Sequence, residues 1–297
     1  MKVSIVIPAK NEAEALQELL PLIRREHPEA ELIIVDDGST DNTAAITNLN
    51  KAKLVRHPYS MGNGAAIKSG SRKATGEVIV FMDADGQHQP KEISKLLKKF
   101  DEGYDLVVGA RDRTAHASRW RWLANSVYNL LASWMTGHKI VDLTSGMRAV
   151  NAAKFRGYLP LLPNGFSYPT TSTMAFMRAG YSVAFEPIEV LQREDKSKSH
   201  IRPLRDGGRF FLIIFKVVTL YSPLKLFAPT SATIFAAGCW HYAHTFITEG
   251  RFTNMGTLLF VAALLAFLIG LLSEQITTII HMNVAKNEDV TKTNSPS

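Results

Sequence analysis

The stretch Val78–His88, which reads Val-Ile-Val-Phe-Met-Asp-Ala-Asp-Gly-Gln-His, most constrains the fold. Its first five residues are apolar and β-prone, the pattern of a strand buried on both faces. Asp83 and Asp85 follow at the carboxyl end, which is the edge where open α/β sheets bind ligands. With the amide of Gln87 they form a compact set of hard oxygen ligands, suited to Mg²⁺ or Mn²⁺ carried in with phosphates. Taken alone, Asp-x-Asp is a weak signal of a metal site, because a solvated turn after a strand is the more common reason for Asp and Gly there.

Short β-prone runs alternate with helical stretches along the first 110 residues. The other runs are Val3–Ile7, Leu32–Val35, Leu54–His57 and Asp105–Ala110. The first helical stretch carries apolar residues at helical spacing between Ala13 and Ile23. This alternation predicts βαβ units. We therefore expect an α/β domain with a mostly parallel sheet of the nucleotide-binding type.

Polar residues follow three of these runs, as Ala9–Glu12, Asp36-Asp37 and Asp83–Asp85. Carboxylates at such an edge can accept hydrogen bonds from a base or a ribose, although capping and turn chemistry also explains Asp36 and Asp37. The loop Gly62–Gly64 matches neither the dinucleotide-binding nor the P-loop pattern, which removes the main support for dinucleotide binding or ATP hydrolysis. Lys68, on the helix after that loop, is more typical of a solvated lysine.

A formal charge of +7 over 297 residues indicates anionic partners. No basic run interleaved with aromatic residues is present, so we expect phosphates and acidic lipid and no nucleic acid. Cys239 is the single cysteine, which excludes an intrachain disulfide and a cysteine metal cluster. The apolar start, Val3–Ile7, is too short for a signal peptide.

The last ninety residues are strongly apolar. Arg209 and Lys216 lie seven apart and predict an amphipathic interfacial helix within residues 206–222. Leu226–Phe246 and Met255–Leu272 carry no formal charge over 21 and 18 residues, which predicts a transmembrane hairpin within residues 223–282. A buried hairpin in a soluble domain is the alternative. The basic segment before the hairpin predicts that residues 1–205 face the cytoplasm, and the polar residues 283–297 are predicted to be disordered.

Four motifs occur in the order and spacing of the family 2 (GT-A) glycosyltransferases. They are Ile7–Glu12 (Ile-Pro-Ala-Lys-Asn-Glu), Val35–Asp41, Gly62–Ala66 and Met82–His88. Over roughly residues 1–280 the chain more closely resembles polyisoprenyl-phosphate glycosyltransferases of the dolichol-phosphate mannose synthase type, including bacterial members with two membrane helices. The resemblance implies inverting transfer of a hexose from a UDP- or GDP-linked donor to a polyprenyl phosphate of the undecaprenyl or dolichyl type. It implies a multi-pass protein of the cell (inner or plasma) membrane.

The resemblance also implies residue roles. Asp83, Asp85 and Gln87 hold Mg²⁺ or Mn²⁺ against the donor diphosphate, with Asp83, Asp85, Arg111 and Arg121 as the catalytic set. The implied donor-binding residues are Pro8, Ala9, Glu12, Asp36, Asp37, Lys68, Ala84, Arg193 and Lys198. The implied acceptor-phosphate residues are Arg111, Arg121 and Asn125.

Two motifs depart from the family pattern. Asp142–Arg148 resembles Asp-x-x-Ser-Gly-Phe-Arg with Met147 in place of Phe, and the loop after Arg193 has Lys196 where Gly is usual. A phosphate monoester with a second pKa near 6 is already ionised at neutral pH, so this nucleophile needs no general base. We therefore expect a structural or orienting role for Asp142. His88, His116, His138 and His200 lack ligand spacing and are assigned no role.

Two other functions remain open. A membrane polysaccharide synthase is the nearest alternative, but its Gln-x-x-Arg-Trp motif is absent, since His116 and Ser118 precede the two Arg-Trp pairs. The other is a non-catalytic membrane adaptor that binds a nucleotide sugar, against which the intact Asp83, Asp85 and Gln87 argue. Apolar surface on the interfacial helix is also compatible with a homo-oligomer.

Overall fold

The computed structural model divides into two compact units, residues 1–200 together with 287–297, and residues 201–286. It describes residues 1–111, 119–165, 168–191, 219, 221–251 and 253–293. For residues 119–125, 127, 128, 249, 281 and 283–293 only the backbone is described. Each unit is considered by itself below.

Strands and helices alternate through the first unit, as the sequence predicts. The strands are β1 (Val3–Ala9), β2 (Glu31–Asp36), β3 (Lys53–Arg56), β4 (Val78–Phe81), β5 (Leu106–Arg111), β6 (Arg148–Asn151) and β7 (Val183–Ile188). The helices are α1 (Ala13–Glu26), α2 (Thr43–Leu49), α3 (Asn63–Lys73), α4 (Lys91–Asp101), α5 (Arg119–Thr136), α6 (Ala152–Gly157) and α7 (Tyr168–Arg178), with a 3₁₀ turn at Leu159–Leu161.

The described strands form one seven-stranded sheet in the order β3-β2-β1-β4-β6-β5-β7. The pairs β1–β2, β1–β4, β2–β3 and β5–β7 are parallel, whereas β6 is antiparallel to both β4 and β5. The prediction of a mixed α/β domain with a mostly parallel sheet is confirmed. Strands β6 and β7 were not predicted. Strand β6 is only four residues long, and its sequence, Arg-Ala-Val-Asn, lacks an apolar run.

The core lies on both faces of the central strands. All four residues of β4 are buried, as are Ile5, Val6 and Ile7 of β1. Ile93 of α4 packs into the same apolar cluster as Val80. Full burial of such a side chain stabilises the fold by about 1.5–3 kcal/mol, which explains why the continuous apolar run of β4 identified the central strand.

Register brings the carboxyl ends of β1, β2 and β4 together. Ala9 pairs with Asp36, and Val6 pairs with Phe81. The connections after β1 and β2 are joined by hydrogen bonds from the Asn11 amide to Ser39 Oγ and from the Ala13 amide to Asp41 Oδ2, at 2.9 and 3.0 Å. The motifs that end these strands therefore form one continuous rim.

The second unit contains one long helix, α8 (Pro223–Glu249), and most of another, α9 (Asn254–Thr293), up to residue 286. They contact each other where Gly238 faces Phe260 and where Ser231 Oγ donates to the Ala263 carbonyl at 2.7 Å. Among the described residues, one helix segment, Asn254–Ile280 of α9, is long and apolar enough to cross a membrane by length and composition. The two predicted helices are present, and the predicted crossing by α8 stays a prediction.

The end of the chain differs from expectation. Helix α9 continues to Thr293, so the prediction of disorder from residue 283 is wrong up to that point. Residues 283–293 contain neither proline nor glycine, the two residues that disfavour a helix most. The predicted interfacial helix, residues 206–222, lies outside the described residues except for 219, 221 and 222.

Candidate active site

Two carboxylates stand at the carboxyl end of β4. Burial raises the pKa of the half-buried Asp83, and neighbouring Asp85 raises it further, while His88, Arg111 and Arg148 oppose this effect. A raised pKa means that the site disfavours the second negative charge. A divalent cation between the two carboxylates would remove that penalty.

The residues present fit a hard divalent cation. Asp83 and Asp85 supply carboxylate oxygens, and the backbone amide of Gln87 donates to Asp85 Oδ1 at 3.2 Å, which orients that carboxylate. The described residues contain no group of three or more His, Cys, Asp or Glu side chains placed to hold a metal. Protein groups thus provide only part of a coordination shell, as Mg²⁺ typically has when water and substrate phosphates complete it.

Arg111, at the end of β5, is held by Asp142. Its Nε donates to Asp142 Oδ2 at 2.8 Å and its Nη2 donates to Oδ1 at 3.0 Å, while Nη2 also reaches Thr144 Oγ1 at 2.6 Å. Burial alone would raise the pKa of Asp142, but the hydrogen bonds and charge of Arg111 lower it below its usual value. This fork-like pairing fixes the guanidinium plane. The geometry supports an orienting role for Asp142.

The two acids at the carboxyl end of β2 have different hydrogen-bond partners. Asp37 is nearly buried and accepts four hydrogen bonds from the loop 57–62: from His57 Nδ1 (2.7 Å), Ser60 Oγ (2.8 Å), the Met61 amide (2.7 Å) and the Gly62 amide (2.9 Å). Its four acceptor positions are therefore filled by protein donors. Asp37 anchors this loop, and direct contact with a nucleoside would require a donor to leave.

Asp36 has no solvent exposure. Its Oδ1 accepts from the Ser39 amide at 2.7 Å, and its Oδ2 lies 3.3 Å from Arg56 Nε without a hydrogen bond. A buried carboxylate oxygen without a hydrogen bond is energetically costly. Of the carboxylate oxygens of Asp36 and Asp37, Oδ2 of Asp36 is the one that accepts no hydrogen bond from the residues that the structure describes. A ligand reaches it only if the covering groups move.

The amino end of α3 is closed by the loop 163–165. The Gly64 amide donates to the Gly165 carbonyl at 3.2 Å, and the Ala65 amide donates to the Asn164 carbonyl at 2.9 Å. Lys68 Nζ donates to Asn164 Oδ1 at 2.7 Å. These amides are therefore occupied by protein carbonyls, and Lys68 has a protein partner where the resemblance implies a donor contact.

The remaining predicted residues fall into two groups. Pro8 and Ala9 end β1, Glu12 precedes α1, and Ala84 lies between the two carboxylates, so all four share the rim with Asp83. Arg193 and Lys198 lie outside the described residues, as do the side chains of Arg121 and Asn125.

Sequence reasoning missed His88 and Arg148. His88 is buried with Nδ1 3.9 Å from Asp83 Oδ2, and it forms an isolated antiparallel bridge with Val190. Arg148 is fully buried. The available sequence signal was that each is a basic residue inside a family motif, His88 in Met82–His88 and Arg148 in Asp142–Arg148. Neither residue has the spacing of a metal ligand.

The fold indicates the class of protein. The chain superposes on a glucosyl-3-phosphoglycerate synthase from Mycobacterium tuberculosis, crystallised with Mn²⁺, UDP and glucosyl-3-phosphoglycerate, with a TM-score of 0.57 and 20% identity over 73% of this chain and 78% of that one. This likeness shows a GT-A type of fold.

The chain belongs to glycosyl transferase family 2, whose model matches residues 4–159. The expected family is thereby confirmed, and the protein is a glycosyltransferase. A second model, the GtrB C-terminal hairpin, matches residues 222–279.

Three relatives extend the comparison. Glycosyltransferase AglJ of Haloferax volcanii is 26% identical over 97% of this chain and 98% of its own length. An undecaprenyl-phosphate 4-deoxy-4-formamido-L-arabinose transferase of Proteus mirabilis is 33% identical over 57% of each chain. A polyprenol monophosphomannose synthase of Mycolicibacterium smegmatis is 29% identical over 64% of this chain and 77% of that one.

Proposed function

We propose that this protein transfers a hexose from a nucleotide-diphosphate sugar to the phosphate of a polyprenyl lipid at the cytoplasmic face of the membrane. One observation carries the proposal: a family 2 domain with an acidic sheet edge is followed in the same chain by a match to the GtrB C-terminal hairpin. An apolar hairpin suits an acceptor that resides in a bilayer. The names of the undecaprenyl-phosphate and polyprenol relatives support this acceptor class.

The donor is bound at the end of β4. Asp83, Asp85 and Gln87 would hold Mg²⁺ or Mn²⁺, which when bound offsets the charge that develops on the leaving nucleoside diphosphate. The Mn²⁺ and UDP in the solved neighbour support this class of cofactor and donor. The anchored loop 57–62 and the joined connections after β1 and β2 give the nucleoside end of the donor a rigid wall.

The acceptor is bound by arginine. Asp142 engages Nε and Nη2 of Arg111, which leaves Nη1 without a partner among the described residues. We infer that Nη1, with Arg121 and Asn125, holds the lipid phosphate in line with the anomeric carbon. A phosphate oxygen forms the new bond to that carbon as the bond to the nucleoside diphosphate breaks. This single displacement inverts the anomeric configuration and needs no proton transfer to an enzyme base.

The hairpin crosses the membrane twice in this proposal, with both ends of the chain in the cytoplasm. A cysteine probe tests the topology. In a Cys239→Ser background, Arg251→Cys in the turn between α8 and α9 should react with an impermeant maleimide added outside intact cells. The matched control, Lys2→Cys, should react only after permeabilisation. Protection of position 251 in intact cells would contradict the double crossing.

The decisive experiment uses the purified full-length protein with Mn²⁺, undecaprenyl phosphate or dolichyl phosphate, and a panel of UDP- and GDP-linked sugars. Mass spectrometry of the lipid extract should show one hexose added to the lipid phosphate. Asp85→Asn should yield no product, whereas Asp101→Asn, a change at an exposed acid at the end of α4, should leave the yield unchanged. Absence of product with every donor would refute the proposed reaction. Full turnover in excess chelator would refute the metal assignment alone.

A further inference from the structure

The Asp83 carboxylate is placed by packing. It accepts no hydrogen bond from the residues the structure describes, and His88 Nδ1 lies 3.9 Å from its Oδ2. Instead, the turn before β6 lies against it: a Cβ built on Gly146 would come within 2.8 Å of Asp83 Oδ1 and closer still to Oδ2. Gly146 does not have a positive φ, so the carboxylate, rather than the backbone, is what requires glycine at this position.

Arg148 is hydrogen-bonded to that turn. It is fully buried at the start of β6, where it pairs with Phe81 of β4. Its Nη2 donates to the Ser145 carbonyl, and its Nη1 donates to the Pro169 carbonyl at 2.9 Å and to Ser172 Oγ at 2.8 Å. The guanidinium thus joins the turn to the first residues of α7.

A second contact holds the next carbonyl. Tyr168, also fully buried, donates from its hydroxyl to the Gly146 carbonyl at 3.1 Å, and its ring lies 5.5 Å from the Arg148 guanidinium carbon. Two successive carbonyls of the turn, at 145 and 146, are therefore fixed by hydrogen bonds from buried side chains. Because of these hydrogen bonds, the turn has little freedom to move away from the Asp83 carboxylate.

The charge of Arg148 makes a purely structural role expensive. Among the described residues it has no carboxylate within ion-pair distance, and its Nε has no hydrogen-bond partner. A buried cation without a counter-ion is energetically costly, and apolar residues of similar volume often serve stability as well or better. Burial lowers the pKa of Arg148, and Tyr168 and the two acids of the site, Asp142 and Asp83, oppose this effect.

We propose that Gly146 and Arg148 are positioning residues for Asp83, which hold its carboxylate in the orientation that binds a divalent cation together with Asp85. Arg148 and Tyr168 fix the turn, and the turn fixes the carboxylate. The inference deepens the proposed function and rests on it only for the use of the cation in catalysis. It assigns a reason for the glycine and the arginine of the Asp142–Arg148 motif.

The test measures cation binding apart from sugar transfer. Full-length Gly146→Ala and wild-type protein are titrated with Mn²⁺ alone, and free Mn²⁺ is followed by electron paramagnetic resonance. The added methyl should displace Asp83 and weaken Mn²⁺ binding about 10- to 100-fold, the usual effect of losing a group that orients a metal ligand. Gly165→Ala is the matched control, because a Cβ there meets nothing within 4 Å and its φ is not positive. Mn²⁺ affinity of Gly146→Ala equal to wild type would overturn the proposal.

Two changes at Arg148 separate its geometry from its charge. Arg148→Lys keeps the charge but cannot bridge the carbonyls of Ser145 and Pro169 with a planar fork, and Arg148→Met removes both. Both should bind Mn²⁺ more weakly than wild type. Wild-type affinity in Arg148→Lys with loss in Arg148→Met would show that charge alone matters and would overturn the positioning role. If neither variant folds, the Gly146→Ala titration decides.

The outcomes also separate this inference from the proposed function. Wild-type protein that binds Mn²⁺ but adds no sugar to any lipid would refute the function and leave the positioning role in place. Wild-type protein that transfers sugar, together with a Gly146→Ala variant of undiminished Mn²⁺ affinity, would refute the positioning role alone. Wild-type protein that binds no Mn²⁺ would refute the inference.

Discussion

Asp37→Asn tests the anchoring of loop 57–62. The carboxylate accepts four hydrogen bonds, two at each oxygen. The asparagine amide keeps one oxygen and turns an NH₂ group toward the other two donors. Each buried donor left unsatisfied costs about 1–3 kcal/mol, so we expect the free energy of unfolding of residues 1–200 to fall by roughly 2–4 kcal/mol once the side chain takes its better orientation.

The assay is thermal unfolding of the full-length protein, followed by circular dichroism at neutral pH. For a unit of this size 1 kcal/mol shifts Tm by about 2–4 °C, so the midpoint should fall by roughly 4–16 °C. Asp101→Asn, which removes an exposed carboxylate, should stay within about 0.5 kcal/mol of wild type. A midpoint for Asp37→Asn equal to that of Asp101→Asn would refute the anchoring role.

The same variant has a defined pH dependence. Burial alone would raise the pKa of Asp37, but its hydrogen bonds lower the pKa below its usual value. A carboxyl with a lowered pKa stabilises the fold above its unfolded pKa, about 3.9, and loses that stabilisation as the pH falls through the folded value. The stability difference between wild type and Asp37→Asn should therefore be full above about pH 5 and shrink on acidification. A difference that grows toward acid pH would contradict the assignment.

Three further changes test other parts of the site. Asp142→Asn removes the counter-charge of partly buried Arg111 and should destabilise the protein by about 3 kcal/mol in urea unfolding; an unchanged midpoint would argue that the pair contributes nothing. Gly64→Ala drives a methyl into the carbonyls of residues 163–165 and should cost about 1–3 kcal/mol in the same assay, with Gly165→Ala unchanged as its control. Arg121→Ala should raise the KM for polyprenyl phosphate about 10- to 100-fold, the worth of a charged hydrogen bond, while the Kd for the nucleotide stays the same; an unchanged acceptor KM would remove Arg121 from the acceptor site.

Local sequence pattern was sufficient for much of the first unit. The apolar run of β4 has no alternation because both faces of that strand are covered. The strand could therefore be recognised from its own residues, without knowledge of the strands that pair with it. Parallel βαβ units bring the ends of β1, β2 and β4 to one edge, and the alternation of strands and helices was therefore enough to group Pro8, Asp36 and Asp83. Strand β6 escaped notice because its pairing with β4 and β5 is antiparallel and nonlocal.

The sequence by itself determined the first five strands, the acidic motifs, the family and the apolar end. The tertiary structure decided what each acid does: it filled the acceptor positions of Asp37 with loop donors, covered Asp36, paired Asp142 with Arg111, and set Gly146 against Asp83. The physical reason is that hydrophobic periodicity and secondary-structure propensity are properties of neighbouring residues. The hydrogen bonding and the pKa of a carboxylate depend on donors and charges that long-range packing brings to it.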